Sequence, residues 1–150
     1  MKNLVKSAAV AALLAAAAFS SANAATYTDG AVGGIGGMSD SGVAALEMND
    51  TMTFFALTTF DSTGDFAGLS LTSIDTLTFA TGSVNNGKTI VVDGITFAIT
   101  DTVVAQFVTG GSTTGWKLAG YMSSADVPNG ASWSLTADNV DNSGLSFSII

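Results

Sequence analysis

Short apolar runs that alternate with polar residues at a period of two are the feature that most restricts the fold of this chain. In Leu145–Ile149 the first, third and fifth residues are apolar and the two between them are serine. Trp133–Ala137 and Ile95–Ile99 alternate in the same way. A period of two places successive side chains on opposite faces of a strand. Because Thr, Ser, Val, Phe and Gly dominate and there is one Pro, the pattern predicts an all-β chain.

Turn residues separate these runs at regular distances. Asp93 and Gly94 form a two-residue hairpin signal between residues 89–92 and 95–99, and a second turn is predicted at Asn85-Asn86-Gly87. Further strands are expected at about 52–59, 74–80, 102–109 and 116–123. The spacing predicts a single antiparallel β-sandwich or jelly roll of about eight strands. Residues 43–48 fit a helix or a strand equally well.

The first 24 residues have the composition of a cleaved signal peptide. Lys2 and Lys6 precede an apolar run over residues 8–19, and Ala22-Asn23-Ala24 supplies the small residues that a signal peptidase requires. The run is too short to span a bilayer. We therefore expect export, a mature chain that begins at Ala25, a secreted, extracellular or cell-surface location, and no membrane insertion after cleavage.

The mature part is long enough for one domain with its own core. Residues 25–42 contain a dense run of glycines between Gly30 and Gly37, which predicts a flexible amino-terminal connector. The run lacks the G-x-G-x-x-G spacing of a nucleotide-binding loop. Residues 43–150 are predicted to form the β-sandwich domain.

Charge and residue content exclude several functions. The chain carries a formal net charge of −8, has no Arg, and retains only Lys88 and Lys117 beyond the signal peptide. Clustered cations for nucleic acid are therefore missing, and an anionic membrane surface is disfavoured. The absence of Cys and His removes disulfides, Ser-His-Asp and Cys-His catalysis, and the usual transition-metal ligands. We expect no enzymatic activity.

Carboxylates are the only abundant reactive groups. A two-carboxylate glycosidase is one use for them, but most of the acids stand beside Gly, Asn or Ser at turns, where capping of the backbone explains them. Calcium is the other use, and its weak candidate ligands are Asp61, Asp65, Asp138 and Asp141. Neither Asp61 with Asp65 nor Asp138 with Asp141 fits the D-x-[DN]-x-[DN]-G loop. No other cofactor is expected.

Trp116, Tyr121 and Trp133 are candidates for an aromatic platform that binds sugar rings. Trp116 and Trp133 each share a strand face with a leucine two positions further on, so both are predicted to lie in the core. Tyr121 shares its face with Lys117 and is predicted to be exposed.

Several short motifs, read in order along the chain, resemble a series found in one protein family. They are Thr63-Gly64-Asp65-Phe66-Ala67-Gly68-Leu69, Ile95-Thr96-Phe97, Gly120-Tyr121-Met122, Ser132-Trp133-Ser134-Leu135-Thr136-Ala137 and Leu145-Ser146-Phe147-Ser148. The series resembles the β-rich body of secreted PEP-CTERM proteins of Gram-negative bacteria. The resemblance implies a role in the extracellular matrix or at the cell surface and no catalytic residues. The chain departs from that family at Ile149-Ile150, where the Pro-Glu-Pro motif, apolar helix and basic tail are missing.

The overall architecture is also similar to subunits of donor-strand filaments. One functional hypothesis is therefore a structural subunit of an extracellular filament or biofilm matrix that polymerises by β-strand donation. Its amino-terminal segment would insert head to tail into a neighbouring copy through Tyr27, Val32, Ile35 and Met38. The alternative is a monomeric secreted binding module for polysaccharide or calcium.

Overall fold

The computed structural model describes residues 26–40, 47–109, 112–138 and 145–149. These residues form an all-β, antiparallel fold without a helix, which confirms the predicted fold class. The strands are β1 (Gly30–Asp40), β2 (Thr51–Gly64), β3 (Leu71–Ile74), β4 (Leu77–Thr78), β5 (Thr89–Val92), β6 (Ile95–Ile99), β7 (Val103–Thr109), β8 (Ser112–Ser124), β9 (Val127–Asp138) and β10 (Leu145–Ile149). The predicted signal peptide, residues 1–24, lies outside the described residues.

The strands form one long sheet that folds back over itself. Its order is β3-β5-β6-β8-β9-β10-β1-β2-β4, and β7 joins β8 on the side that β6 also uses. The Leu71 amide of β3 donates to Thr59 Oγ1 of β2 at 2.7 Å, so the first strand of this order packs against the inner face of a strand near its other end. Two layers of one sheet therefore enclose the core, as in the predicted β-sandwich.

Apolar side chains at alternate positions fill the space between the layers. Trp116 and Leu118 are buried while Lys117 between them is partly exposed, which confirms the register predicted for β8. The Trp116 ring meets Phe79 edge to face, with centroids 4.6 Å apart. The largest fully buried side chains are Trp133, Phe79, Phe97, Leu77, Ile90, Ile99, Met122, Val32 and Val92.

The two predicted turns are both present. Asp93 and Gly94 have φ values of 45° and 87°, and Val92 pairs with Ile95 across them. Positive φ at both loop residues is the conformation of a type I′ hairpin, whose twist matches that of the flanking strands. This hairpin joins β5 and β6 at the predicted bounds.

Asn85, in the second turn, has a structural role beyond turn formation. Its side chain is fully buried. Oδ1 accepts from the Thr78 amide at 2.7 Å, and Nδ2 donates to the Thr78 carbonyl at 2.8 Å. The side-chain amide thus takes the place of a neighbouring strand beside β4, because it satisfies both backbone groups of Thr78.

The expected flexible connector over residues 25–42 requires a correction. Gly30–Asp40 of that range is strand β1, paired with β10 on one side and β2 on the other. The glycines serve close packing instead of flexibility: a Cβ at Gly36 would lie 2.6 Å from Leu57 Cδ2, and one at Gly37 would collide with the Phe55 ring. Side chains of β2 therefore occupy the space left by the missing side chains of β1.

The expectation of one strand over residues 74–80 is also corrected. That range is split between the end of β3 at Ile74 and the short strand β4. Asp75 interrupts it, because its Oδ2 accepts from the amide and hydroxyl of Thr89 at 2.7 and 3.0 Å. Most of the stretch that fitted a helix or a strand, residues 43–46, lies outside the described residues.

Candidate functional site

Strand β1 comes first along the described chain but occupies an inner position in the sheet. Its register joins Val32 to Ile149 and Gly36 to Leu145 on one side. On the other side it runs along β2 from Gly64 to Met52. Without β1, two strand edges would be left without their backbone hydrogen-bonding partner. We call the space between β2 and β10 the β1 slot.

The four predicted polymerisation residues differ in what they contact. Val32 is fully buried and Met38 is 5% exposed, so both are core residues that hold β1 in its slot. Ile35 is 51% exposed on the outer face. Tyr27 is partly buried and stacks on Phe66, with ring centroids 5.1 Å apart. Three of the four therefore fix the segment against its own chain.

Asp65 holds the segment that leads into β1. Its Oδ2 accepts from the Thr28 amide at 2.8 Å, from the Thr28 hydroxyl at 3.1 Å and from the Asp29 amide at 3.3 Å. Hydrogen bonds from the Thr28 amide, then from the Asp29 amide and the Thr28 hydroxyl, lower the pKa of Asp65. We call this arrangement the Asp65 clasp. It gives a predicted calcium ligand a role in fixing the amino-terminal segment.

The other predicted calcium ligands are dispersed. Asp61 is exposed on β2, opposite Gly33 of β1, and Asp138 is the last residue of β9, opposite Gly115. Asp141 lies outside the described residues. Among residues that the structure describes, there is no group of three acidic side chains arranged to hold a metal ion. The calcium site stays a prediction.

The outer face of β1 and β2 carries exposed apolar side chains. Ile35, Phe55 and Phe60 are 51%, 54% and 62% exposed, and we call them the β1/β2 outer patch. Neither Phe55 nor Phe60 was among the site residues predicted from the sequence. The available signal was the Phe54-Phe55 pair within a strand, since neighbouring strand residues point to opposite faces and one ring must lie outside. Patches of this kind are typical of interaction surfaces.

A shallow groove crosses the outer face of β7, β8 and β9. Its volume is about 330 Å³, and its walls include Tyr121, Lys117, Asp101 and Ser132. Tyr121 is 67% exposed, which confirms the predicted orientation. Trp133 also borders the groove, and its buried indole N–H has no hydrogen-bond partner within the described part of the chain. An aromatic ring beside hydroxyl and charged groups is suited to contact a sugar.

No protein-family model, curated protein or solved structure matches this chain. Within the described ranges, no helix is long and apolar enough to cross a membrane.

Proposed function

We propose that this protein is a secreted structural subunit of an extracellular filament or biofilm matrix, and that its subunits polymerise by donating β1 to a neighbouring copy. The single observation that carries the proposal is the position of β1. It is an amino-terminal strand, yet it fills an inner slot with ladder pairing on both edges. A strand at the start of a chain can leave and be replaced without unthreading any other element.

Exchange between copies conserves the contacts of the slot. The β1 of a second copy has the same sequence, so it would place the same valine and methionine anchors, Val32 and Met38, in the same core. The Asp65 clasp would form again, with Asp65 from the acceptor and Thr28 from the donor. Because bonds lost within one chain are regained between two, the cost of exchange is small and concentration decides which form prevails.

Donation of one strand into one slot is a heterologous contact. Each subunit offers one β1 and one slot, so the contact repeats head to tail and yields an open polymer unless the rotation closes it. The signal-peptide pattern supports an extracellular setting for such a polymer. The absence of cysteine means that strand pairing, not disulfide bonding, would join the subunits.

A double cysteine variant tests donation directly. Ala31 of β1 is the register partner of Thr63 of β2, and partners in an antiparallel pair lie within the Cα distance that a disulfide requires. In the Ala31→Cys/Thr63→Cys variant, a self-paired β1 gives a disulfide within one chain, and a donated β1 gives a disulfide between chains. We expect assembled material to run as a covalent ladder on a non-reducing gel.

The matched control is Val91→Cys/Thr96→Cys, which joins register partners within the β5–β6 hairpin. This disulfide should remain within one chain in assembled and unassembled protein alike. Filaments whose Ala31→Cys/Thr63→Cys subunits all run as monomers would show that β1 is not exchanged. A mature protein that stays monomeric at every concentration would also contradict the proposal.

A second candidate function is a binding module for extracellular polysaccharide, favoured by the exposure of Tyr121 beside the groove on β7 to β9. Stacking of a sugar ring on this side chain predicts that Tyr121→Ala weakens binding to a polysaccharide in an affinity gel. Phe60→Ala, which removes a similarly exposed ring on the opposite part of the sheet order, is the control. Equal retardation of both variants and of the parent protein would argue against the groove.

A further inference from the structure

Strand β1 is held at its amino-terminal end by the segment that precedes it, residues 26–29, which we call the lead-in. The Asp65 clasp fixes two of these residues. The Asp65 amide also donates to the Asp29 carbonyl at 2.8 Å, and the Tyr27 amide donates to the Asp126 carbonyl at 2.9 Å. Each of these bonds joins the lead-in to a part of the chain that stays behind when β1 leaves its slot.

Polar contacts fix the lead-in more than packing does. Tyr27 packs against the core through Phe66, but the other residues of the lead-in are exposed. A cavity of about 200 Å³ is lined by Thr28, Asp29 and Val127, so the lead-in does not fill the space beside the β8–β9 turn. The Asp65 clasp is therefore the main contact that keeps Thr28 and Asp29 in place.

Strand β1 itself has few side chains that anchor it once the lead-in is released. Five of its eleven residues are glycine, and the large side chains that it buries in the core are Val32 and Met38. Its other end continues towards β2 in the same chain, so separation from the sheet starts at the lead-in. The backbone bonds to β2 and β10 then break one after another from Gly30 onward. Opening of the clasp therefore precedes departure of the strand.

We infer that the Asp65 clasp is a latch that sets how fast β1 leaves its slot, and so controls the rate of β1 donation without changing its extent. The inference rests on the proposed function and adds a means of regulation to it. The clasp is present in the self-paired subunit and forms again between Asp65 of the acceptor and Thr28 of the donor. A contact present in both end states cancels from the equilibrium between them. Because the clasp is absent while β1 is between slots, it slows the passage.

Filament growth by the Asp65→Ala variant, followed by light scattering, tests the latch. The substitution removes the acceptor of all three hydrogen bonds of the clasp. We expect growth about tenfold faster than in the parent protein, because losing an exposed set of hydrogen bonds to a charged group changes an opening equilibrium by about that factor. The final amount of filament should be the same. Asp65→Asn, which keeps an acceptor oxygen without the charge, should grow at an intermediate rate.

The matched control is Asp61→Ala, which removes the same charge from an exposed position of β2, opposite Gly33 of β1 and outside the clasp. It should leave both the rate and the final amount of filament unchanged. Equal acceleration by the two alanine variants would overturn the latch. A lower final amount of filament from Asp65→Ala at an unchanged rate of growth would also overturn it.

Hydrogen exchange of the monomer separates failure of the latch from failure of the proposed function. At a concentration too low for assembly, mass spectrometry should show the amides of β1 exchanging about tenfold faster in Asp65→Ala than in the parent protein, with residues 89–99 of β5 and β6 unchanged. Unchanged exchange in β1, or equal acceleration in both segments, would overturn the latch even if filaments form. Faster exchange in β1 alone, with no filaments from any variant, would support the latch on β1 and contradict β1 donation.

Discussion

Replacing Asn85 by Ala should destabilise the fold well beyond the usual effect of a turn substitution. The side chain is fully buried and makes two hydrogen bonds to Thr78, at 2.7 and 2.8 Å. Its removal leaves the part-buried Thr78 amide without this partner, at a cost of about 1–3 kcal/mol, whereas the Thr78 carbonyl still accepts from the Ala80 amide at 2.8 Å. Because removal of the fully buried side chain also leaves a cavity, we expect a total loss of about 2–4 kcal/mol in the free energy of unfolding.

Thermal and urea unfolding followed by circular dichroism measure this loss. At about 4 °C per kcal/mol for a domain of this size, the melting temperature should fall by about 8–16 °C. Asn86→Ala is the matched control, because Asn86 is the exposed neighbour in the same turn and should change stability by no more than about 0.5 kcal/mol. Equal effects at the two positions would refute the role assigned to Asn85 as the partner of β4.

Three further predictions concern the core, the clasp and calcium. Trp116→Ala should cost about 3–5 kcal/mol as a core cavity, and Lys117→Ala should stay within about 0.5 kcal/mol in urea unfolding; comparable losses would contradict the register of β8. The pKa of Asp65 is lowered in the folded state. The contribution of its carboxylate to the stability of the fold is therefore present above the ordinary carboxyl pKa, and it is lost as the pH falls through the pKa of the folded state. The stability difference between the parent protein and Asp65→Asn should therefore shrink as pH decreases below about 4, and a difference that does not change with pH would contradict the clasp. If Asp61 and Asp65 bind calcium, the melting temperature should rise with millimolar calcium and fall with chelator, and Asp61→Asn should remove the rise; an unchanged melting temperature would leave these acids as turn residues.

The sequence pattern predicted those strands in which apolar and polar side chains alternate. The bounds of β6 and β10 agree with the pattern because both strands alternate cleanly, and those of β5 agree because the two-residue turn fixes its register against β6. For the opposite reason, the segment that forms β1 was expected to be flexible and to become a strand only by donation to another copy. Glycine has no side chain and therefore no period, so composition predicted flexibility where packing against Phe55 and Leu57 imposes a strand.

The features of the candidate site that the sequence pattern did not predict depend on contacts between residues that are distant in sequence. Asp65 stands in a turn like several other acids, and only the folded chain brings the amides of Thr28 and Asp29 to its carboxylate. The inner position of β1 is likewise a property of strand order, since sequence identifies a strand but not which neighbours it pairs with. The exposure of Tyr121 was predictable because it depends on local alternation alone.

Electron microscopy of a protein whose β1 is held in its own slot by a disulfide tests the central claim, donation of β1, most directly. The Ala31→Cys/Thr63→Cys variant, oxidised within one chain, should form no filaments, and adding a reductant to the same sample should allow them to grow. The Val91→Cys/Thr96→Cys control should form filaments with or without reductant. Filaments of equal number and appearance from the oxidised and reduced forms of the Ala31→Cys/Thr63→Cys variant would contradict β1 donation.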